Sequence, residues 1–166
     1  RTRNIRAEVK VSLKPDEACF TITTRLENPD VQPKAFQYWL NAMVSPGTPS
    51  LSPQTQFVLP ATEVIVHSTG DMTLGEAHSS LPWPIVDGRD LSRYGNWRNW
   101  LGVFAPAVSA GFMGVYSHES NLGVVRVFPR EQVPGVKLFA FGQDLADVYT
   151  DDGSQYAELW GGLTPT

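Results

Sequence analysis

Near its C-terminal end the chain reads QYAELW, and the two-residue period of a strand puts Tyr156, Glu158 and Trp160 on one side and Ala157 and Leu159 on the other. A carboxylate between two aromatic rings suits a sugar. The rings offer flat apolar surface to its C–H face, and the carboxylate is a strong acceptor for its hydroxyls. The competing reading keeps Tyr156 and Trp160 in the core and leaves Glu158 at an edge or paired with an arginine such as Arg126. A second half-polar face occurs in KAFQYWLNAMV, where Gln37, Trp39, Asn41 and Met43 alternate with Phe36, Tyr38, Leu40 and Val44.

The histidines are the remaining groups suited to proton transfer. His67 follows Val64 and Val66 at a strand end, His118 lies in VYSHES, and His78 lies in a polar loop. Their isolation in sequence is a weak metal signal, so no metal site is expected. His118 and Glu119 form an acid/base pair only where a turn intervenes, because neighbours on a strand point to opposite faces; Asn121 and Gly123 permit such a turn. The GxSxG elbow of serine hydrolases and the glycine-rich loops that cradle phosphate are missing from the sequence. Cys19 is the single cysteine, which excludes an intrachain disulfide and a zinc site built from several thiolates.

The elements that must position these groups read as strands. Ile5, Ala7, Val9, Val11 and Leu13 alternate with charged and polar residues, which predicts a half-buried strand. Lys14, Pro15, Asp16 and Glu17 read as a four-residue hairpin loop, after which Phe20, Ile22 and Leu26 return antiparallel. Residues 27–30 read as a turn. Further strands are expected near 34–44, 56–59, 63–67, 110–117, 122–129, 136–141 and 155–160, with turns at 45–47, 133–135 and 150–153. Asp90 to Trp97 is compatible with one helical turn capped by Asp90. The expected fold is therefore all-β, an antiparallel β-sandwich, in one domain over residues 1–166.

The segment from Leu81 to Trp100 is irregular, yet it holds three of the five tryptophans. Ordered loops that keep large aromatics either serve a function or roof the core, and both readings stay open on sequence. Composition narrows the partners. Hydrophobic residues make up 42% and charged residues 18%, as in globular proteins. A net charge of −4, spread along the chain, carries no basic stripe for a phosphate backbone, so nucleic acid is not an expected partner. A membrane is not expected either, because no run of about 18 apolar residues occurs. The chain starts without Met and enters a strand pattern almost at once, which reads as a piece of something longer; the compartment is left unknown.

Two stretches carry a family resemblance. TTRLENPDVQPKAFQYWLNA followed by QFVLPATEVIVHS resembles the part of galactose mutarotase-like (aldose epimerase) proteins that leads to a His-x-Tyr-Phe-Asn segment. Together with WPIVDGRDLS, GFMGVYSHESNLGVVRVF, PGVKLFAFG and YAELWGG, the first stretch is more similar to an uncharacterised bacterial domain family. That family is often joined to tetratricopeptide repeats and is thought to share the mutarotase-like superfamily. This second resemblance covers most of the chain, from about Thr23 onward.

The resemblance implies an antiparallel supersandwich with a sugar on a concave face, and ring opening by a Glu base and a His acid. Glu158 matches the base. Alignment through Asn41 puts Gln37 where the acid would be, and an amide cannot donate a proton to a ring oxygen. Either His67 or His118 then replaces the acid from another strand, or the domain binds sugars without interconverting them. The chain is also short for a complete supersandwich, which predicts that part of it lies elsewhere.

On this reading Trp39, Trp83 and Trp160 are stacking platforms alongside Tyr156. Asn41, Asp87, Arg126 and His118 hold hydroxyls, Glu158 is the base or acceptor, and no cofactor is needed. The expected ligand is a small sugar or oligosaccharide. The alternative is a non-catalytic structural or interaction domain that packs against other domains of its parent chain.

Overall fold

In the computed structural model, residues 4–143, 150–151 and 153–166 are described. They fall into two compact units, Arg1–Phe36 and Gln37–Thr166. Alternation builds the first. β1 (Arg6–Leu13) and β2 (Phe20–Glu27) pair antiparallel, with Val11 opposite Ile22 and Leu13 opposite Phe20. Cross-strand partners share a face, so Val9, Val11, Ile22, Leu13 and Phe20 form an apolar side. On the other side Arg6 faces Glu27 and Glu8 faces Arg25.

The hairpin is as expected, but its loop spans residues 14–19, longer than the four residues anticipated. Burial departs further from expectation: every residue of β1 is exposed, Leu13 at 70%. The physical reason is that two strands make one layer, and a strand buries a face only against a second layer. The turn at residues 27–30 is closed by Asn28 Oδ1, which accepts from the Asp30 amide at 3.2 Å.

The second unit is an antiparallel β-sandwich. Its strands are β3 (Trp39–Val44), β4 (Thr55–Val58), β5 (Glu63–Thr69), β6 (Ser80–Pro82), β7 (Ile85–Val86), β8 (Arg89–Asp90), β9 (Leu101–Phe104), β10 (Phe112–Ser117), β11 (Leu122–Val127), β12 (Gly135–Ala140) and β13 (Ala157–Gly162). Six of them form one sheet in the order β3-β13-β12-β9-β5-β6, and three form a second in the order β11-β10-β4. The inward residues of both sheets, among them Val64, Val103, Leu138 and Leu159 from the larger and Phe57 and Val115 from the smaller, pack into one core. β3 starts at Trp39, later than residue 34. β9 was not anticipated, because LGVF is a four-residue apolar run that carries no alternation, yet it lies inside the larger sheet.

The tryptophan-rich segment is ordered by local chemistry. β7 and β8 form a hairpin through Asp87 and Gly88, whose φ values of 49° and 78° are the left-handed pair of a type I′ turn. The helical turn is a short 3-10 element, Tyr94–Asn96, with Arg93 at its N-cap. Asp90 instead accepts from the amide and hydroxyl of Ser92. Trp83 and Trp97 are buried in the core, and Trp97 Nε1 donates to Leu91 O at 2.8 Å. Two of the three tryptophans therefore roof the core, and only Trp100 is left to face outward.

Candidate functional site

Register assembles the site. With Leu138, Leu159 and Val103 turned inward, the alternate residues of the larger sheet stand on its outer face. Across the strands they fall into two rows. One runs Asn41, Trp160, Lys137, Phe104, and the next runs Met43, Glu158, Phe139, Gly102. Gly102 has no side chain, and Phe139, Ser68 and His67 converge over it.

β5 supplies its residues to this convergence through an irregularity. Its pairing with β9 shifts register between Val66 and Ser68, so His67 is the extra residue of a bulge. A bulge re-aims side chains, and here His67 and Ser68, neighbours in sequence, both line one pocket. That pocket is open and measures about 380 Å³, within the size range of small-molecule sites. Glu158 and Tyr156 line it from the β13 side and His67 and Ser68 from the β5 side, and Phe139, Phe141, Lys137 and Trp100 line the rest. β13 and β5 are three strand spacings apart, ~14 Å backbone to backbone, which leaves room for one ring-sized ligand between carboxylate and imidazole.

The polar groups are tied to aromatic ones. Trp160 Nε1 donates to Glu158 Oε2 at 2.7 Å. The Lys137 ammonium lies over the Trp160 ring, 5.0 Å from its centroid, and 5.8 Å from that of Phe104. His67 meets the same Phe104 edge-on at 5.1 Å, while its Nδ1 contacts Ser68 Oγ at 3.2 Å.

Burial lowers the His67 pKa below the ordinary 6.5, and the positive charges of Lys137 and His78 lower it further. Burial also lowers Lys137, against the pull of the Glu158 charge. Tyr156 is raised by burial and by that same carboxylate. Among the described residues no group of three His, Cys, Asp or Glu comes together as metal ligands.

A buried amide holds the end of the site. Tyr94, fully buried, donates from its hydroxyl to Gln155 Oε1 at 2.8 Å, and Gln155 Nε2 donates to the carbonyls of Gly142 and Gln143. The Gln155 backbone N–H donates to Ser50 Oγ at 2.6 Å. Gln155 immediately precedes Tyr156, so this network sets where β13 enters the sheet.

The structure brings together some of the residues singled out from sequence and separates others. Glu158, Tyr156 and His67 line the pocket. Trp160 stands beside it, but its ring is covered by Lys137 and its N–H is committed to Glu158. Trp39 and Asn41 share the outer face but sit on β3 at the sheet edge, where Trp39 packs on Phe104 at 5.5 Å. Asn41 Oδ1 is buried without a hydrogen-bond partner among the described residues.

The other expected ligand groups lie elsewhere. Trp83 belongs to the core and offers no face to a ligand. Asp87 sits at the exposed tip of the β7–β8 turn. Arg126 crosses between the sheets and donates to Leu40 O at 2.6 Å and Leu159 O at 2.9 Å, so it clamps strand backbones and does not pair with Glu158. His118 bonds Gln56 at 3.0 Å and packs on Tyr116, on the outer face of the smaller sheet, away from Glu158. Sequence reasoning did not single out Ser68, Trp100, Lys137, Phe139 or Phe141 as site residues. Lys137 and Phe139 carried a usable signal, since they alternate with Val136, Leu138 and Ala140 in a strand that was expected.

These features define a class, a two-sheet antiparallel β-sandwich with an aromatic-lined pocket on the outer face of its larger sheet. The family described as "Domain of unknown function (DUF5107)" matches residues 2–165, and the chain belongs to that family. Among solved structures, it is similar to a TPR-domain containing protein from Parabacteroides distasonis ATCC 8503, with a TM-score of 0.76 at 21% sequence identity. The match covers 98% of this chain and 26% of that one, so the chain spans about a quarter of that protein's length. At this identity the likeness shows the fold. A solved neighbour that carries tetratricopeptide repeats is consistent with the expected joining of such domains to repeats.

Proposed function

We propose that the chain is a carbohydrate-binding module of galactose mutarotase-like architecture, holding one saccharide unit on the outer face of its larger sheet. The observation that carries this reading is the place of Glu158. It stands half-buried in an open pocket among Tyr156, Phe139, Phe141 and Trp100, is oriented by the Trp160 indole, and pairs with no arginine among the described residues. A carboxylate accepting hydroxyl protons among flat apolar surfaces is what a pyranose requires.

The pair Glu158 and His67 also meets the formal needs of anomer interconversion. Glu158 would take the proton from the anomeric hydroxyl, His67 would give one to the ring oxygen as the C1–O bond breaks, and both transfers would reverse on closure. The lowered pKa of His67 weighs against turnover, because a histidine held neutral near pH 7 has little proton to give. Binding is therefore favoured over isomerisation. Calorimetric titration with a panel of monosaccharides and short oligosaccharides, paired with polarimetry of freshly dissolved α-anomers, tests both. Heat of binding without faster mutarotation is the expected result, and no heat across the panel overturns the reading.

A second reading rests on the first unit. The apolar side of the β1–β2 hairpin is exposed, including Val11 at 63% and Phe20 at 59%. The solved relative is a TPR-domain containing protein four times the length of the match, so this face fits packing against helical repeats of a longer polypeptide. Replacing Val11 and Phe20 with Lys in a repeat-containing parent would lower its thermal stability if that packing exists and leave it unchanged if it does not.

A further inference from the structure

The cationic side of the pocket is not ion-paired among the described residues, although the Glu158 charge acts on it from nearby. Among the described residues, Lys137 forms no ion pair with a carboxylate, although its ammonium is half-buried over two rings. Its nearest candidate, Glu158, already has one oxygen occupied by the Trp160 indole. His67 converges on the same Phe104 that carries Lys137, and with Nδ1 engaged by Ser68 its Nε2 has no partner among the described residues. Two nitrogen donors therefore converge on one aromatic ring, Phe104, while the acceptor carboxylate of Glu158 stands on the Trp160 side of Lys137. A neutral hexose would give the ammonium only hydroxyl oxygens. A ligand carboxylate would give it a charge-assisted bond, roughly twice as strong.

We propose, resting on the saccharide reading above, that the pocket selects an acidic sugar, a hexuronate unit whose carboxylate lies between Lys137 Nζ and His67 Nε2 while its hydroxyls meet Glu158. The negative charge of Glu158 fixes the direction of binding, since it repels the carboxylate end and accepts from the hydroxyl end.

Calorimetric titration of the intact chain with galacturonate against galactose, and glucuronate against glucose, tests this. The uronate of at least one pair is expected to bind about tenfold more tightly or better, and less so as salt rises. Lys137→Met keeps the aliphatic packing on Phe104 and Trp160 and should abolish that preference by weakening the uronate far more than the neutral sugar. Lys137→Arg should retain it, which guards against misreading a folding defect. Equal affinity within each pair overturns the acidic preference and leaves the saccharide reading standing. Preference that survives in Lys137→Met also overturns it. Absence of binding by neutral and acidic sugars alike overturns both readings.

Discussion

Trp160 and Glu158 lie two residues apart on β13 and are joined side chain to side chain, the indole Nε1–H donating to Glu158 Oε2 at 2.7 Å. Their spacing puts both on the outer face, and the bond leaves one carboxylate oxygen free for a ligand. Orientation by a neighbouring donor is how a binding group is held ready without the entropy cost of freezing it on contact.

Replacing Glu158 with Gln should therefore act on binding and hardly on folding. The amide oxygen still accepts from Trp160, and the side chain keeps its shape, so the melting temperature should be nearly unchanged. Saccharide affinity should fall by about tenfold or more, as expected for loss of a hydrogen bond to a charged group. A large drop in melting temperature would show instead that the carboxylate is structural.

Gly102 lies beneath Phe139, Ser68 and His67, which all line the pocket. A Cβ there would lie 3.2 Å from Phe139 Cδ2 and 3.2 Å from Ser68 Oγ. Gly102→Val should push Phe139 and Ser68 outward into the pocket and eliminate saccharide binding. The circular dichroism spectrum should remain that of the parent, because a β-branched residue suits a strand. Unchanged affinity in this variant would place the ligand elsewhere on the sheet.

Tyr94→Phe removes the donor to Gln155 Oε1, an acceptor in a buried network. Leaving such a group unsatisfied costs about 1–3 kcal/mol, read as a lower midpoint in urea with an unchanged slope. Because the network anchors the entry of β13, saccharide affinity should weaken as well. A midpoint equal to that of the parent would mean that Gln155 finds another donor.

Asp71 predicts how stability responds to acid. Its carboxylate caps the 3-10 turn Met72–Leu74 and pairs with Arg89 at 2.6 Å, nearly out of reach of water. Burial alone would raise its pKa, but hydrogen bonds from Thr73 and Arg89 outweigh burial, and the net shift is below the ordinary 3.8. The unfolded chain thus takes up the proton at higher pH than the folded one. The pair contributes fully above 3.8, and its contribution is lost as pH falls through the lower folded value. Asp71→Asn should cost about 2–3 kcal/mol at neutral pH, and the gap to the parent in chemical denaturation should close in that acid range. A gap independent of pH would show that the charge plays no part.

Much of this architecture was legible in the sequence. Alternation located β1 and β2, runs rich in Val, Phe, Tyr and Trp between turn signals located β5, β10, β11, β12 and β13, and the spacing of Tyr156, Glu158 and Trp160 assigned them to one side. Two features escaped for identifiable reasons. β9 is short and apolar, and a run of four residues carries no period to read. The bulge in β5 that brings His67 and Ser68 to one pocket depends on how β9 pairs, which no period within β5 itself records.

The sequence alone determined that this is an all-β chain and which of its side chains share a face of a strand, because the two-residue period is a local property of the backbone. Only the tertiary structure decided which face became core and which residues became neighbours. That choice turned Arg126 into a clamp, Trp83 into packing and Lys137 into the companion of Glu158. Strand pairing joins segments far apart in the chain, and the layer that covers a face is set by the whole sheet and not by the strand itself.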